Sequence, residues 1–192
     1  MSSDSTRDRI LDATVDLLRR HGPGKTGVVD VARALDMSHS NVYRHFASKA
    51  ELFDAVAERW LETVSAPLWK IAKSDAPAPE RLKKWAKALA QIKRKKVLDD
   101  PELFAVYGQI TANAREVVAH HLADLRDQVA QILRDGTKAK AWRVKDAEAT
   151  AALLLHATAR FHHPYHVHAD GGKSDLSELD KLMDILIAGL AA

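Results

Sequence analysis

The apolar residues of this chain recur three or four positions apart, which is the spacing of one face of an α-helix. Near the N-terminus, Ile10, Ala13, Leu17 and Leu18 keep this spacing until Gly-Pro-Gly at 22–24 interrupts it. The sequence contains no stretch with the strict apolar–polar alternation of a half-buried strand. The pattern therefore predicts an all-α fold.

Two short helices are predicted after the first one. The second covers about 28–35, and the third begins after Ser38 and runs to about Phe46. Only Asp36 and Met37 separate the second helix from Ser38, which has the side chain of a helix cap. Two short helices joined by such a tight turn predict a helix-turn-helix.

Longer helices are predicted for the rest of the chain. Ser48 and Glu51 have the spacing of a capping box, which predicts the start of a long fourth helix. The stretch at 74–79 is the clearest linker, and Gly136 is predicted to end the seventh helix. We therefore predict a helix-turn-helix DNA-binding domain over 1–49, a connecting helix over 50–73 and a helical C-terminal domain over 74–192.

The last two predicted helices differ from the others in their apolar content. Residues 146–162 are mostly Ala and Leu, and the helix over 176–190 carries an apolar residue at most turns. A helix that is apolar nearly all round must be buried on more than one side. In a small domain this favours a subunit interface, so we predict a homodimer formed through these two helices.

Composition indicates the cellular compartment in which the protein is expected. The sequence has no cysteine, which excludes disulfides and thiolate chemistry, and no apolar run near ~18 residues that would predict a membrane-spanning helix. Its first residues lack the basic-then-apolar order of a signal peptide. The expectation is a cytoplasmic protein with no membrane partner.

Net charge alone does not identify a partner. The isoelectric point is near 9.1, which would suit a polyanion. Residues 1–60, however, contain nine Lys or Arg and nine Asp or Glu, and the basic surplus lies at 80–96. We expect that basic run to be a solvated helix face, with a weak electrostatic role on DNA as the alternative. Any DNA contact must therefore be argued from individual positions.

The third predicted helix has a dense set of polar side chains. Val42 and Phe46 are spaced i and i+4 and should face the core. The side chains left to point outward or sideways are His39, Ser40, Asn41, Tyr43, Arg44 and His45. The second helix of a helix-turn-helix enters the major groove, where His39, Asn41 and Arg44 could pair with base edges.

Residues 36–49 resemble the signature of the TetR family of repressors, above all in the Tyr-x-His-Phe-x-x-Lys sequence at 43–49. Ile10-Leu11-Asp12-Ala13 and Asp30-Val31-Ala32 extend the resemblance over roughly 7–64. It departs from the family at Asp36, where the family usually has a turn glycine, and at Gly27, where the family usually has Ser or Thr. Asp tolerates the left-handed turn conformation, whereas Gly27 removes a cap and a phosphate contact that Lys25 or Thr26 would have to replace.

The resemblance implies a role for each polar position. Tyr43 and His45 would bond DNA phosphates, Ser38 would cap the recognition helix, and Lys49 would add a phosphate contact. The base-facing positions would be His39, Ser40, Asn41 and Arg44. The DNA-binding set is therefore Lys25, Thr26, Ser38, His39, Ser40, Asn41, Tyr43, Arg44, His45 and Lys49.

The resemblance also implies a mechanism: a repressor that binds a palindromic operator as a dimer and leaves it when a small-molecule effector binds. The C-terminal domain would bind the effector, with no cofactor. Candidate effector contacts are aromatic, amide and basic residues that interrupt apolar faces: Trp69, Trp85, Phe104, Tyr107, Gln109, Asn113, His121, His156, Arg160, Phe161 and His163. Arg160 stands in an apolar helix, so we expect it to be buried and paired with an internal carboxylate, with an acidic ligand as the alternative.

Five histidines cluster at 156–168, and two more are adjacent at 120–121. They could be solvated or paired within the interface, they could line the effector site, or they could bind a metal. The metal site is disfavoured because no cysteine accompanies them and Pro164 breaks the helical spacing of His162 and His166. We predict no metal.

Two rival classes of function remain to be separated from DNA binding. An enzyme would need a catalytic signature, but the sequence has no phosphate loop, no His-Glu-x-x-His and no cysteine nucleophile. If the protein were a helical adaptor that binds only protein, the polar side chains of residues 38–45 would have no assigned function. The sequence therefore favours a DNA-binding regulator that is not an enzyme.

Overall fold

The computed structural model describes residues 5–191, and within that range every regular element is a helix. The helices are α1 (Thr6–His21), α2 (Val28–Ala34), α3 (His39–Tyr43), α4 (Lys49–Ala72), α5 (Ala78–Asp99), α6 (Pro101–Thr111), α7 (Arg115–Lys138), α8 (Ala147–Ala157), α9 (Ala159–His162), α10 (Pro164–Ala169) and α11 (Leu176–Ala191). A 3₁₀ turn, Pro23–Lys25, lies between α1 and α2. The predicted all-α fold class is confirmed. Within the described range, no helix is long and apolar enough to cross a bilayer.

The helices form two compact units. Unit 1 comprises the described chain up to Leu61 together with Glu102–Ala119, and unit 2 comprises Glu62–Pro101 together with the chain from His120 onward. Because α4 and α7 each span a boundary, both helices contribute residues to both units. The division at 49 and 73 that the sequence suggested stays a prediction.

The core of unit 1 is built by the helix-turn-helix and α6. Val42 and Phe46 are fully buried, as their i and i+4 spacing predicted. Trp60 of α4 stacks on Tyr107 of α6 with ring centroids 4.4 Å apart and meets Phe104 edge-on at 5.9 Å. These aromatic contacts bury α6 against the fourth helix within the unit.

Local capping sets where the helices of unit 1 begin. Ser5 Oγ accepts a hydrogen bond from the Asp8 backbone N–H at 3.2 Å, and the Asp30 carboxylate accepts one from the Gly27 N–H at 3.0 Å. The Asp30 contact supports the start of α2, where Gly27 offers no side-chain cap. Asp36 has a φ of 52°, the left-handed conformation that the tight turn requires.

Unit 2 is organised by a buried chain of polar contacts. Trp85 Nε1 donates to Gln128 Oε1 at 2.8 Å, and Gln128 Nε2 donates to the Ser65 carbonyl at 3.2 Å. Separately, α11 is tied to α5 by two ion pairs, Lys83 with Asp184 and Lys87 with Asp180, each at 2.7 Å. The network connects α4, α5 and α7, and the ion pairs hold the last helix on α5.

Three predicted helix ends were wrong. The third helix ends at Tyr43 rather than Phe46, and α7 continues through Gly136 to Lys138. The predicted helix over 146–162 is broken at Thr158, whose hydroxyl donates to the Leu154 carbonyl at 2.8 Å. Such a bond back to the preceding turn competes with the helical ladder, and the next helix, α9, begins at Ala159.

Candidate functional site

The polar side chains at 39–45, on α3 and directly after it, are exposed or half-buried. His39, Ser40, Tyr43 and Arg44 are exposed, while Asn41 and His45 are half-buried. On the opposite side Val42 is fully buried, so the five-residue helix is held by its apolar face and shows its donors to solvent. The six side chains that the sequence directed outward or sideways are thus all at least partly accessible to solvent.

Asn41 and Arg44 are hydrogen-bonded to each other in the protein without DNA. Arg44 Nη2 donates to Asn41 Oδ1 at 3.2 Å. This bond orients the amide of Asn41 and leaves its NH₂ group and the second lone pair of Oδ1 for another partner. An amide held in this way suits the paired donor and acceptor that adenine presents in the major groove.

The ends of α3 and α4 carry the positions expected to meet phosphates. Ser38 Oγ accepts from the Asn41 N–H at 3.3 Å, which confirms it as the cap of the recognition helix. Lys49 Nζ donates to the Pro23 carbonyl at 2.8 Å and lies 5.1 Å from the centre of the Phe53 ring. These contacts tie the start of α4 to the 3₁₀ turn, where Lys25 is exposed.

Thr26 does not share this surface, which corrects its inclusion in the predicted DNA-binding set. Its side chain is 1% exposed, and its hydroxyl donates to the Gly22 carbonyl at 2.9 Å. The hydroxyl helps to close the turn between α1 and α2 and cannot reach a phosphate from inside unit 1. Of the two residues proposed to replace the missing hydroxyl at Gly27, Lys25 is therefore the accessible one.

The predicted effector contacts include residues of both units. Tyr107 belongs to the core of unit 1, and Phe104 is buried against Trp60. Gln109 and Asn113 are exposed near them along the chain. Of the unit 2 residues, Trp69, Trp85, His121 and Phe161 are half or fully buried, whereas His156, Arg160 and His163 are exposed.

Arg160 differs from its prediction. It is exposed rather than buried. The pKa of Asp170 is lowered by the hydrogen bond from Ser174 and by two backbone N–H groups, and the charge of Arg160 adds to that effect. The basic run at 80–96 also differs, since Arg81 and Lys93 are buried rather than solvated. Arg81 Nη1 donates to the Ala72 carbonyl at 2.6 Å and to Asp135 Oδ2 at 2.9 Å, which explains its burial.

Lys93 lies in a buried group of ionisable side chains in unit 2. Burial lowers its pKa to about 8, and the charge of Lys96 adds to that effect. Burial also lowers the pKa of His121 to about 4 and that of His162 to about 4, and Lys93 contributes to both shifts. From the sequence, Lys93 was expected on a solvated helix face, and the role of His162 and its neighbouring histidines was left open. Only the positions of Lys93 and His162 on apolar helix faces could have indicated that they are buried.

We predict that unit 2 loses stability in mild acid because of these two histidines. Their folded pKa values near 4 lie below the ordinary 6.5, so between these values the unfolded chain binds protons that the folded chain excludes. Stability is therefore complete above about pH 6.5 and falls as the pH drops towards 4. In His121→Gln, the loss between pH 7 and pH 5 should shrink by on the order of 1 kcal/mol, as measured by urea unfolding.

His120→Gln is the matched control, because His120 is the exposed neighbour of His121 on α7. It should keep the acid dependence of the unaltered protein. Equal acid dependence in all three proteins would show that His121 is not held neutral by the fold.

A metal site was not predicted. Within residues 5–191, no group of three or more His, Asp or Glu side chains is placed to hold a metal ion. The histidines at 156–168 therefore do not converge on a common coordination point within that range.

Comparisons with known proteins agree with this geometry. Residues 10–56 match the family described as bacterial regulatory proteins of the tetR family, and residues 78–182 match the tetracyclin repressor-like C-terminal domain. The transcriptional repressor Rv3405c of Mycobacterium tuberculosis is 36% identical over 69 residues, which is 36% of this chain. The match spans only about a third of that relative, 35% of its length.

Solved structures extend the likeness over the full fold. The repressor SmeT of the Stenotrophomonas maltophilia multidrug efflux pump SmeDEF superposes with a TM-score of 0.71 at 19% identity, covering 98% of this chain and 91% of SmeT. FadR of Bacillus subtilis, in complex with stearoyl-CoA, gives a TM-score of 0.69 at 16% identity, covering 94% and 97%. At these identities the likeness shows the fold.

The C-terminal match alone covers more than half of the chain, and the N-terminal match covers most of the helix-turn-helix. Together with the outward-facing donors of α3, these matches establish what kind of protein this is. The chain belongs to the TetR family of transcriptional regulators and is not an enzyme.

Proposed function

We propose that this protein is a ligand-responsive repressor that binds a palindromic operator as a homodimer and leaves it when a small-molecule effector binds. The observation that carries the proposal is the α3 surface. Val42 is buried, whereas the six polar side chains among residues 39–45 are exposed or half-buried. Its place of action would be the cytoplasm.

Contacts with DNA would divide between the backbone and the bases. Tyr43, His45, Lys25 and Lys49 would contact phosphates, which fixes the register of the protein on the duplex. His39, Ser40, Asn41 and Arg44 would face base edges in the major groove. Because residues 1–60 have no net positive charge, specific contacts would contribute more here than a general attraction to DNA.

Dimerisation is supported by apolar side chains on α8 and α11. In the single chain Leu153 of α8 is 68% exposed and Ile185 of α11 is 70% exposed. A second copy related by a two-fold axis would cover both residues, because the same patch faces itself across such an axis. The dimer would present two recognition helices about one DNA turn apart, ~34–36 Å, which requires a palindromic operator.

Effector release would operate through a shift between two dimer conformations. The effector would favour a spacing of the recognition helices that does not fit the operator. α4 begins at Lys49 and carries Trp69 near its other end, so one helix spans the predicted DNA contact and the C-terminal unit. The fold neighbour from Bacillus subtilis that holds stearoyl-CoA supports a ligand site in a protein of this fold.

The test is binding to the DNA upstream of the protein's own gene, measured by fluorescence polarisation at 150 mM salt. We expect binding at least ~10³-fold tighter than to random DNA of the same length. The complex should contain two protein chains per palindrome by analytical ultracentrifugation. Equal affinity for both DNAs would favour a protein-binding adaptor, and a monomer at micromolar concentration would contradict the dimer.

A further inference from the structure

Unit 2 contains a polar cleft at the junction between α4 and α5. Its volume is about 550 Å³, which lies within the ~300–1,000 Å³ typical of small-molecule sites. It is lined by the connecting residues 73–76, by Arg81 of α5, and by Gln131 and Asp135 of α7. We call it the Arg81 cleft. Residues 73–76 are exposed, whereas Arg81 is 7% exposed, so the cleft combines an open rim with a buried guanidinium.

The Arg81 guanidinium has one donor left without an acceptor. Its Nη1 donates to the Ala72 carbonyl at 2.6 Å and to Asp135 Oδ2 at 2.9 Å. The other carboxylate oxygen of Asp135 accepts from Gln131 Nε2 at 2.9 Å, so both oxygens are engaged. Arg81 Nε, however, is buried with no hydrogen-bond partner among the described residues. Buried donors are nearly always satisfied in folded proteins, so this atom indicates a place for an acceptor that a ligand would supply.

The rim of the cleft carries one charge of each sign. Lys73 Nζ lies 4.5 Å from the centre of the Trp69 ring, a cation–π contact that leaves the ammonium able to bind an anion as well. Within residues 5–191, neither Lys73 nor Asp75 forms an ion pair. The lining therefore offers donors at Arg81 and Lys73 and a carboxylate at Asp75.

We propose that the Arg81 cleft binds a small α-amino acid in its zwitterionic form and that this amino acid is the effector. Its carboxylate would accept hydrogen bonds from Arg81 and Lys73, and its ammonium group would pair with Asp75. The regulatory role rests on the proposed function, whereas the binding chemistry rests on the polar groups of the cleft.

The lining disfavours other classes of ligand. A simple carboxylate would lie near Asp75 without offsetting its charge, and a simple amine would be repelled by Lys73 and Arg81. Of the described residues that line the cleft, Ala76 is the only apolar one. A fatty or aromatic acid would therefore find little apolar surface on which to bury its body. A zwitterion has one group for each sign of charge in the lining.

The position of the cleft connects it with α4. Arg81 bonds the carbonyl of Ala72, the last residue of this helix, and Lys73 follows Ala72 directly. A ligand held by Arg81 and Lys73 would act on the end of the helix that begins at Lys49. If it binds one dimer conformation more tightly than the other, it shifts the population towards that conformation.

The test uses the protein without DNA. The twenty standard amino acids are screened for a rise in melting temperature, and the best is titrated by isothermal calorimetry. Its N-acetyl derivative lacks the ammonium charge, and its α-amide lacks the carboxylate. We expect the N-acetyl derivative to bind at least ~5-fold more weakly and the α-amide at least ~10-fold more weakly than the amino acid itself.

The variant Asp75→Asn should weaken binding of the amino acid about 5-fold and leave binding of its N-acetyl derivative unaltered, because only the amino acid brings an ammonium group. Asp75 is exposed, so the fold should be kept, which thermal melting checks. Glu80→Gln is the matched control: Glu80 is exposed in the first turn of α5, does not line the cleft, and should bind the amino acid unchanged.

The variant Arg81→Lys keeps the positive charge beside Asp135 but removes Nε. Binding of the amino acid should weaken at least ~10-fold, because lysine does not reproduce the donors of a guanidinium. Arg134→Lys makes the same change at an exposed position of α7 that pairs with Glu148, and it should bind as the unaltered protein does. If Arg81→Lys fails to fold, Asp75→Asn decides the question alone.

Three outcomes would each overturn the proposal: no amino acid binds, the N-acetyl derivative binds as tightly as the amino acid, or Asp75→Asn binds unchanged. Added to the protein–operator complex, the amino acid should lower the polarisation signal. An unaltered signal would show that this ligand is not the effector. Failure to bind operator at all would contradict the proposed function and leave the calorimetric result standing.

Discussion

Gly136→Ala is expected to lower the free energy of unfolding by about 2 kcal/mol, although alanine is the better helix former. A Cβ at Gly136 would lie 2.2 Å from two ring atoms of Trp142. The ring cannot move away easily, because it is buried and its Nε1 donates to the Leu133 carbonyl at 2.8 Å. Overpacking should cost about 3 kcal/mol, against about 1 kcal/mol gained in helix propensity.

Gly108→Ala is the matched control, because Gly108 also lies inside a helix but has no atom within 4 Å of a Cβ placed there. This variant should be stabilised by up to about 1 kcal/mol. The two changes should move the melting temperature in opposite directions, with a fall of about 4–8 °C for Gly136→Ala. All samples must share one protein concentration, because the melting temperature of a dimer depends on it. A rise in both variants would contradict the packing of Trp142 on α7.

Asn41→Ala is expected to lower operator affinity roughly 10- to 100-fold and to relax the preference at one base pair of each half-site. The amide is held towards solvent by Arg44, which donates to Asn41 Oδ1. Removing Asn41 also frees Arg44, so the losses in Asn41→Ala, Arg44→Ala and the double variant should not add. Polarisation binding to the operator and to its single-base-pair variants measures both the affinity and the preference.

Tyr43→Phe should have a different signature. It removes one hydroxyl from an exposed side chain, so affinity should fall about 3- to 10-fold on operator and random DNA alike. Tyr165→Phe makes the same change at an exposed position of unit 2 and should leave DNA binding unaltered. Equal losses on operator and random DNA from Asn41→Ala would remove Asn41 from base readout.

The features that were predicted correctly depend on residues close together in sequence. The Ser38 and Ser48 caps, the left-handed turn at Asp36 and the burial of Val42 and Phe46 are all present in the structure. Each involves partners within four residues, or one apolar helix face. Such features are set by backbone geometry and helical periodicity, which a sequence displays directly. The exposed surface of α3 follows from them.

The features that were predicted wrongly depend on which elements meet. Thr26 faces inward because the α1–α2 turn closes over it, and Lys93 is buried although it belongs to a basic run of α5. Gly136 resembled a helix end, but it lies within α7, where its missing Cβ makes room for Trp142. A glycine at a helix end and a glycine inside a helix can have the same local sequence pattern, and so can a buried and an exposed lysine. Only the tertiary structure distinguishes the two cases.

The sequence by itself thus determined the all-helical fold, the family and the polar side of the recognition helix, because these depend on local spacing. The tertiary structure decided which basic residues are buried, and it decided which of the predicted effector contacts belong to each unit. It also buried Lys93 and His121, which belong to helices that are distant in sequence. Burial and charge pairing between such helices depend on packing, which no short stretch of sequence specifies.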